Sequence, residues 1–544
     1  MTLPKTFEYS CDKYALTIWG TFWRDVPEDL EIESFTPEGV QKLNLDGSYL
    51  AHYVDNASQR QLVFCGHMEN FPFYYCVEGH NVIFSDKFYA LAERFKALTL
   101  DRDSISDYFE EGWNNILKWD RTPFKEIRRL ECWKYMTTGE NGELQITSWD
   151  MLDRTVKFND RNLDDFKREF FECADYYLKK IHDMGKRVTF SVSGGLDSST
   201  LAARYVQLFP DNDAVFYTSK IDDVTDESEM ALKVEPALHK KIILVDMKTD
   251  TFNFLELLKK YIDTDIPPRY RGCINARILC DELVKNGLGC PTVNGMGAEA
   301  NLGWFGGEYL QLMADLAASF KLVKAYRTFL GALRSYSTYT YDKYGTAGRV
   351  IKFFIALSRK FGGRILRAIF GRREPVNDLL KISLPMPASN KVRNHKDAVN
   401  YAAQSGEVRD INLTFRSRGI EAFFPYVGYK FYELNAHCDP FIYSDRVNKA
   451  CQRYAVKDLL PPEIVGNVKK TPLPSMTLEK SLEAGNNLAD IVNYVRSRKS
   501  RIVDTKRLAE RFSAHSYGQK EFLALSLLVF EEKISQRMGI EIRI

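Results

Sequence analysis

Arg187-Val188-Thr189-Phe190-Ser191-Val192-Ser193-Gly194-Gly195-Leu196-Asp197-Ser198-Ser199 is the stretch on which the reading of the fold turns. Its first six residues are β-branched and aromatic enough to predict a strand. A Gly-Gly turn follows, and then a helical period through Ala203-Arg204-Tyr205. Glycines let backbone N–H groups approach an anion with no Cβ in the way. The helix start adds positive potential, and Ser193, Ser198 and Ser199 add hydroxyl donors. An Asp inside an anion pocket makes chemical sense when a cation intervenes, and Mg²⁺ between phosphates is the usual one. The Gly-Lys-Ser/Thr ending of a Walker loop is missing. The plain alternative is a helix capped by Asp197 or Ser198 after an incidental turn.

Working outward, strands and helices alternate. A long helical period runs from Asp165 to about His182, ahead of the first strand. Ala214–Ser219 reads as a second strand, Glu227–Val234 as a helix and Ile242–Asp246 as a third strand. Two more helical stretches precede a strand at Pro291-Thr292-Val293-Asn294. This alternation predicts a doubly wound parallel sheet, whose ligands bind at the carboxyl ends of the strands. Residues from about 308 onward read as largely helical. Within them, 348–373 carries eight Lys and Arg and no acid, interleaved with Ile, Leu and Phe. That pattern fits a membrane surface or an acidic partner, or an ordinary helix pair with a solvated basic face.

The first ~155 residues read as strands. Leu62-Val63-Phe64, Phe73–Val77 and Val82-Ile83-Phe84 are short runs between polar turns, and Glu140-Asn141-Gly142-Glu143 before Leu144-Gln145-Ile146 signals a hairpin. The 544 residues predict two or three domains. A net charge of +2 gives no electrostatic case for nucleic acid. The ten cysteines contain no CxxC pair, which predicts buried free thiols in a reducing compartment. There is no apolar leader and no run long enough to span a bilayer, so a soluble, cytoplasmic protein is expected.

Ser193–Ser199 resembles the pyrophosphate-binding loop of the asparagine-synthetase family of ATP pyrophosphatases, which includes asparagine synthetase B, the β-lactam and carbapenam synthetases and the lasso-peptide cyclases. Asp226-Glu227-Ser228-Glu229 is similar to the family's helix after the second strand. Asn294-Gly295-Met296-Gly297-Ala298-Glu299 resembles its second Gly-rich loop. Gly419-Ile420-Glu421 with Pro425-Tyr426 resembles its Gly-x-Glu…Pro-Phe segment. Leu459–Val465 followed by Lys469-Lys470 resembles the segment bearing the active-site lysine. The resemblance implies an α/β fold with two domains. Residues 1–158 would form a degenerate, Ntn-type glutaminase-like β-rich domain, and 159–544 a parallel-sheet ATP pyrophosphatase domain with a helical extension.

It also implies roles. Asp197 and Glu299 would hold Mg²⁺. Lys470, or Lys469, would neutralise charge on the α-phosphate and the departing pyrophosphate. Ser193, Gly194, Gly195 and Ser198 would cradle phosphate, and backbone around Ser191, Val192, Ser219 and Gly295 would flank the adenosine. Met296 stands where the family has an acid or a Tyr that assists the nucleophile, and a thioether cannot act as a base. Glu421 is therefore the candidate general base, or else a structural carboxylate paired with Arg416 or Arg418. Thr2 replaces the processed Cys that attacks glutamine in active glutaminase domains.

The expected activity is amide-bond formation. A carboxylate, from a small molecule or a peptide, is adenylated by ATP, and the acyl group then passes to an amine of the same or a second molecule. Two alternatives remain: activation of a carbonyl or amide for amidine formation or thiolation, and a decayed synthetase fold that binds nucleotide as a regulator.

Overall fold

The computed structural model describes residues 5–23, 26, 45–66, 72–79, 81–109, 120–132, 134–139, 143–148, 162–220, 227–247, 253–268, 272–298, 316–317, 319–330, 378–384, 406–438, 440–443, 447–468, 482 and 487–544. The basic stretch 348–373 and the junction near residue 158 lie outside the described residues.

The chain opens with β1 (Lys5–Ser10), β2 (Tyr14–Phe22), β3 (Gly47–Asp55) and β4 (Gln61–Cys65). With β9 (Lys134–Thr138) and β10 (Leu144–Ser148) they form a six-stranded sheet in the order β1-β2-β3-β4-β9-β10. The expected hairpin is the antiparallel pair β9–β10. A second sheet, β6-β5-β8, is built from β5 (Tyr74–Glu78), β6 (Asn81–Ser85) and β8 (Arg128–Arg129). Leu50 and Val63 of the first sheet meet Phe73, Tyr75 and Val82 around the second in one apolar cluster, so the two sheets pack face to face.

The parallel sheet follows. Its strands are β11 (Thr189–Ser191), β12 (Val215–Lys220), β13 (Ile242–Asp246), β14 (Thr292–Val293) and β15 (Ala422–Phe423). They lie in the order β13-β12-β11-β14-β15, every pair parallel. The chain runs outward from β11 through β12 to β13, then crosses back to place β14 on the other side of β11. The topological switch therefore lies at β11/β14, where a doubly wound sheet opens its ligand crevice. The helix Leu163–His182 packs on one face. Its buried Phe166, Phe170, Cys173, Ala174, Tyr177, Leu178 and Ile181 recur at helical spacing. The Asn162 side chain caps it by accepting the Asp165 N–H at 2.8 Å. On the other face, Tyr217 and Val245 pack against residues of the helices Gly272–Lys285 and Gly406–Arg416.

Two features join the halves of the chain. Trp23, at the end of β2, is buried against Tyr177 and Phe423, with ring centroids 4.9 and 5.7 Å away. The last strand, β16 (Glu541–Arg543), pairs in parallel with β7 (Ala97–Thr99) of the N-terminal region. All ten cysteines are free thiols, eight of them buried. Among the described residues no helix is long and apolar enough to cross a membrane.

Candidate active site

The turn after β11 is built by close approach. Gly194 has φ +72°, in the left-handed region, and a Cβ there would lie 2.4 Å from the Met230 carbonyl carbon and 2.5 Å from the Ala231 nitrogen. The helix Ser228–Leu232 thus backs the loop so tightly that only glycine fits. The Ser193 N–H donates to Ser198 Oγ at 3.1 Å, the two hydroxyl oxygens are 3.0 Å apart, and the Gly195 N–H donates to Ser193 Oγ at 3.2 Å. The Val192 side chain is buried in the core, and its N–H donates to the Tyr217 carbonyl at 2.8 Å.

Gly195 is the N-cap of the helix Leu196–Leu208 and supplies no side-chain acceptor. Asp197 and Ser198 therefore do not cap it. The first-turn N–H groups, which every helix leaves without intrahelical partners, face the loop together with the helix's positive end. Ser199 is fully buried, so its hydroxyl does not join those of Ser193 and Ser198 at the loop.

Asp197 is held from two sides. Lys449 Nζ donates to its Oδ2 at 2.5 Å, and the Tyr426 hydroxyl donates to its carbonyl oxygen at 3.1 Å. Its Oδ1 is buried and makes no hydrogen bond, which suits a carboxylate with a coordination position for a cation. Tyr426 belongs to the Pro425-Tyr426 segment that follows β15. The second Gly-rich loop leaves β14 and lies flush on the first: a Cβ on Gly295 would sit 2.6 Å from the Ser198 nitrogen and 3.1 Å from the Asp197 carbonyl carbon. The Asn294 side chain pins that loop by accepting the Met296 N–H at 2.9 Å. Met296 itself packs against the apolar cluster containing Val408, Ile411 and Phe415. Its position is apolar, with no group that moves a proton.

Of the residues predicted from sequence, Ser191, Val192, Ser193, Gly194, Gly195, Asp197, Ser198 and Gly295 come together at the β11/β14 switch. Ser219 lies on the neighbouring strand β12, two residues past Tyr217, which pairs with Ser191. Glu299, Lys469 and Lys470 lie outside the described residues. Among the described residues no group of three or more His, Cys, Asp or Glu is placed to hold a metal; with Glu299 outside them, Asp197 is the one described member of the predicted Mg²⁺ pair.

Glu421 requires a correction. It immediately precedes β15, and its backbone carbonyl accepts the Thr292 N–H at the start of β14. In a parallel sheet that is the amino edge, opposite the Gly-rich loops. Its carboxylate pairs with Lys186 at 3.2 Å, three residues ahead of β11, so it does not serve as general base at the crevice. Of the two predicted structural partners, Arg418 pairs with Asp281 instead.

Lys449 is the residue that sequence reading missed. It is 5% exposed and takes φ +50° at the start of the helix Ala450–Val456. The turn is braced by Arg453, whose guanidinium donates to the Asn448 carbonyl at 2.8 Å, to Asn448 Oδ1 and to the Val465 carbonyl. Nothing local marks this lysine, because its partner lies 252 residues away in sequence.

The asparagine synthase family model matches residues 398–534. The matched span contains β15, Tyr426 and Lys449, whereas both Gly-rich loops precede it. The comparison with curated proteins gives no match.

Proposed function

We propose, from the match of residues 398–534 to the asparagine synthase family model, that this chain is an ATP-dependent ligase that adenylates a carboxylate and passes the acyl group to an amine. The observation that carries the reading is the meeting of Gly194–Ser198, Gly295 and Lys449 at one topological switch point, with an uncapped helix start facing the crevice. In this reading the first-turn N–H groups and the Ser193 and Ser198 hydroxyls hold the β- and γ-phosphates. Lys449, already buried at the loop, supplies fixed positive charge for the pyrophosphate that leaves when a substrate carboxylate oxygen attacks the α-phosphorus. Lys470 or Lys469 remains the proposed second cation.

Asp197 would hold Mg²⁺ through its unpaired Oδ1, with Glu299 as the proposed second ligand; such an ion screens the charge that builds on the phosphates. The acyl-adenylate then loses AMP as the amine nitrogen attacks its carbonyl carbon. Met296 moves no proton, so this loop contributes an apolar wall to that second step. The N-terminal sheets then serve as scaffold, with Trp23 keyed into the ATP domain.

The test is pyrophosphate release and ATP·Mg²⁺ binding by the whole protein, with a panel of carboxylates and amines, against Asp197→Ala. Saturable ATP·Mg²⁺ binding that Asp197→Ala abolishes is expected. A wild-type protein that binds no ATP·Mg²⁺ overturns the reading.

A further inference from the structure

Four large apolar side chains stand in solvent within a short stretch of chain. Phe320 is 90% exposed, Val323 72%, Leu322 64% and Tyr326 61%. Elsewhere among the described residues, exposed large apolar side chains occur singly along the chain or as one pair, Ile243-Leu244. Leu322, Val323 and Tyr326 fall within about 100° of arc on the helix 322–330. The other face of that helix is anchored: Thr328 is fully buried, and Ala325 packs against Leu316 and Phe441. Apolar surface concentrated in this way marks an interaction site.

Phe320 reaches solvent from an unfavourable backbone. Its φ is +58°. Its N–H donates to the Ala317 carbonyl at 3.0 Å, and the Lys321 N–H to the Leu316 carbonyl at 2.8 Å. That is the pattern of a helix end that ordinarily takes glycine. An aromatic residue there carries backbone strain, and at this exposure it gains little packing within the chain.

Charge decides what kind of surface fits. The exposed Lys321 follows Phe320, and Lys324 and Arg327 lie beside the ridge, each 5.2 Å from the Phe441 ring centre. Residues 316–373 carry thirteen Lys and Arg against one acid, Asp342, in a chain whose net charge is +2. A second copy docked through the same face would set like charges against each other, and so would the chain's own basic stretch 348–373. Nucleic acid would match the charge but leave Leu322 and Val323 without apolar partners. An anionic bilayer meets both demands. Its headgroups attract Lys and Arg, and the boundary below them takes apolar side chains.

We propose that Phe320, Leu322, Val323 and Tyr326 form a membrane-surface anchor, seated in the interface of an anionic bilayer with Lys321 at its headgroups. None of these residues belongs to the loops of the proposed ATP site, so the docking stands or falls apart from the ligase reading.

The experiment is co-sedimentation of the full chain with vesicles of phosphatidylcholine alone and with vesicles containing about 30% phosphatidylserine. Binding at least tenfold tighter to the phosphatidylserine vesicles is expected, weakening as salt rises from about 0.1 M to about 0.5 M. Phe320→Gly combined with Val323→Gln is expected to lower the affinity at least tenfold. Glycine suits the left-handed backbone, so Phe320→Gly should leave the urea midpoint unchanged, which separates lost binding from lost folding. Lys321→Glu should reduce the preference for phosphatidylserine. A wild-type protein that stays in the supernatant with both vesicles overturns the proposal. Equal affinity for the two vesicles does so as well. Unchanged binding in the double variant would move the contact to another part of the chain and also overturns it. A vesicle-free dimer that the double variant abolishes would give the ridge to a second copy, and retention on duplex DNA that it abolishes would give the ridge to nucleic acid; either result overturns the membrane anchor.

Discussion

The Asp197–Lys449 pair can be measured by a double-mutant cycle. At 2.5 Å, two unit charges attract by about 7 kcal/mol at an effective dielectric of about 20. Desolvation removes several kcal/mol per ion, and the side chains are 19% and 6% exposed, so the net worth of the pair is small. The cost of breaking it is not. Asp197→Asn strands a buried ammonium beside the positive end of the helix Leu196–Leu208, and Lys449→Met strands a buried carboxylate. Each single change is expected to cost about 3 kcal/mol. The double variant removes both charges and is expected to fall short of the summed losses by about 2 kcal/mol or more. Urea unfolding followed by tryptophan fluorescence reads all four proteins, and the buried Trp23 reports from the shared core. Losses that add to within about 0.5 kcal/mol would refute the pairing. Lys449→Met should also respond more strongly to Mg²⁺ than wild type, because Asp197 has lost its internal cation.

Four further outcomes are expected. Gly194→Ala should cost about 3 kcal/mol or more, from the left-handed backbone and the collision with Met230 and Ala231, whereas Gly195→Ala, whose nearest neighbour is Ser193 Oγ at 3.1 Å, should stay below about 1 kcal/mol; equal losses in urea midpoint would contradict the loop geometry. Trp23→Ala should cost about 3–5 kcal/mol, and a loss under about 1 kcal/mol would mean that the N-terminal strands do not share the core of the parallel sheet. Burial lowers the pKa of His52 against the raising effect of its hydrogen bond to Gln61, so the unfolded chain takes up a proton near pH 6.5 that the folded chain refuses; stability should fall as pH drops below about 6.5, less steeply in His52→Gln, in a chemical-denaturation series across that window. Glu421→Gln breaks a half-exposed ion pair, so it should change stability by at most about 1 kcal/mol and leave pyrophosphate release unchanged; a hundredfold drop in rate would return Glu421 to the chemistry.

Local signals carried much of the fold. The helix Leu163–His182 was legible from its helical period, and β11 to β14 from short β-branched runs between turns. The fifth strand was not: Ala422-Phe423 is two residues long, too short for any period, and becomes a strand only because β14 offers it an edge. β16 is similar, three residues completed by β7 at the other end of the chain.

The site divides in the same way. By itself the sequence determined the Gly-rich loop, since Ser193–Ser198 and Asn294–Gly297 declare a turn, a helix start and hydroxyl donors through residue types alone. Only the tertiary structure decided which charges face it. Strand direction put Glu421 at the amino edge beside Lys186, although the family resemblance of its segment suggested the crevice. Chain crossover brought Lys449 across 252 residues to Asp197. Backbone preferences act over a few residues and can be read from a string. Charge pairing acts through space at a few ångströms, and the fold alone decides which residues share that space.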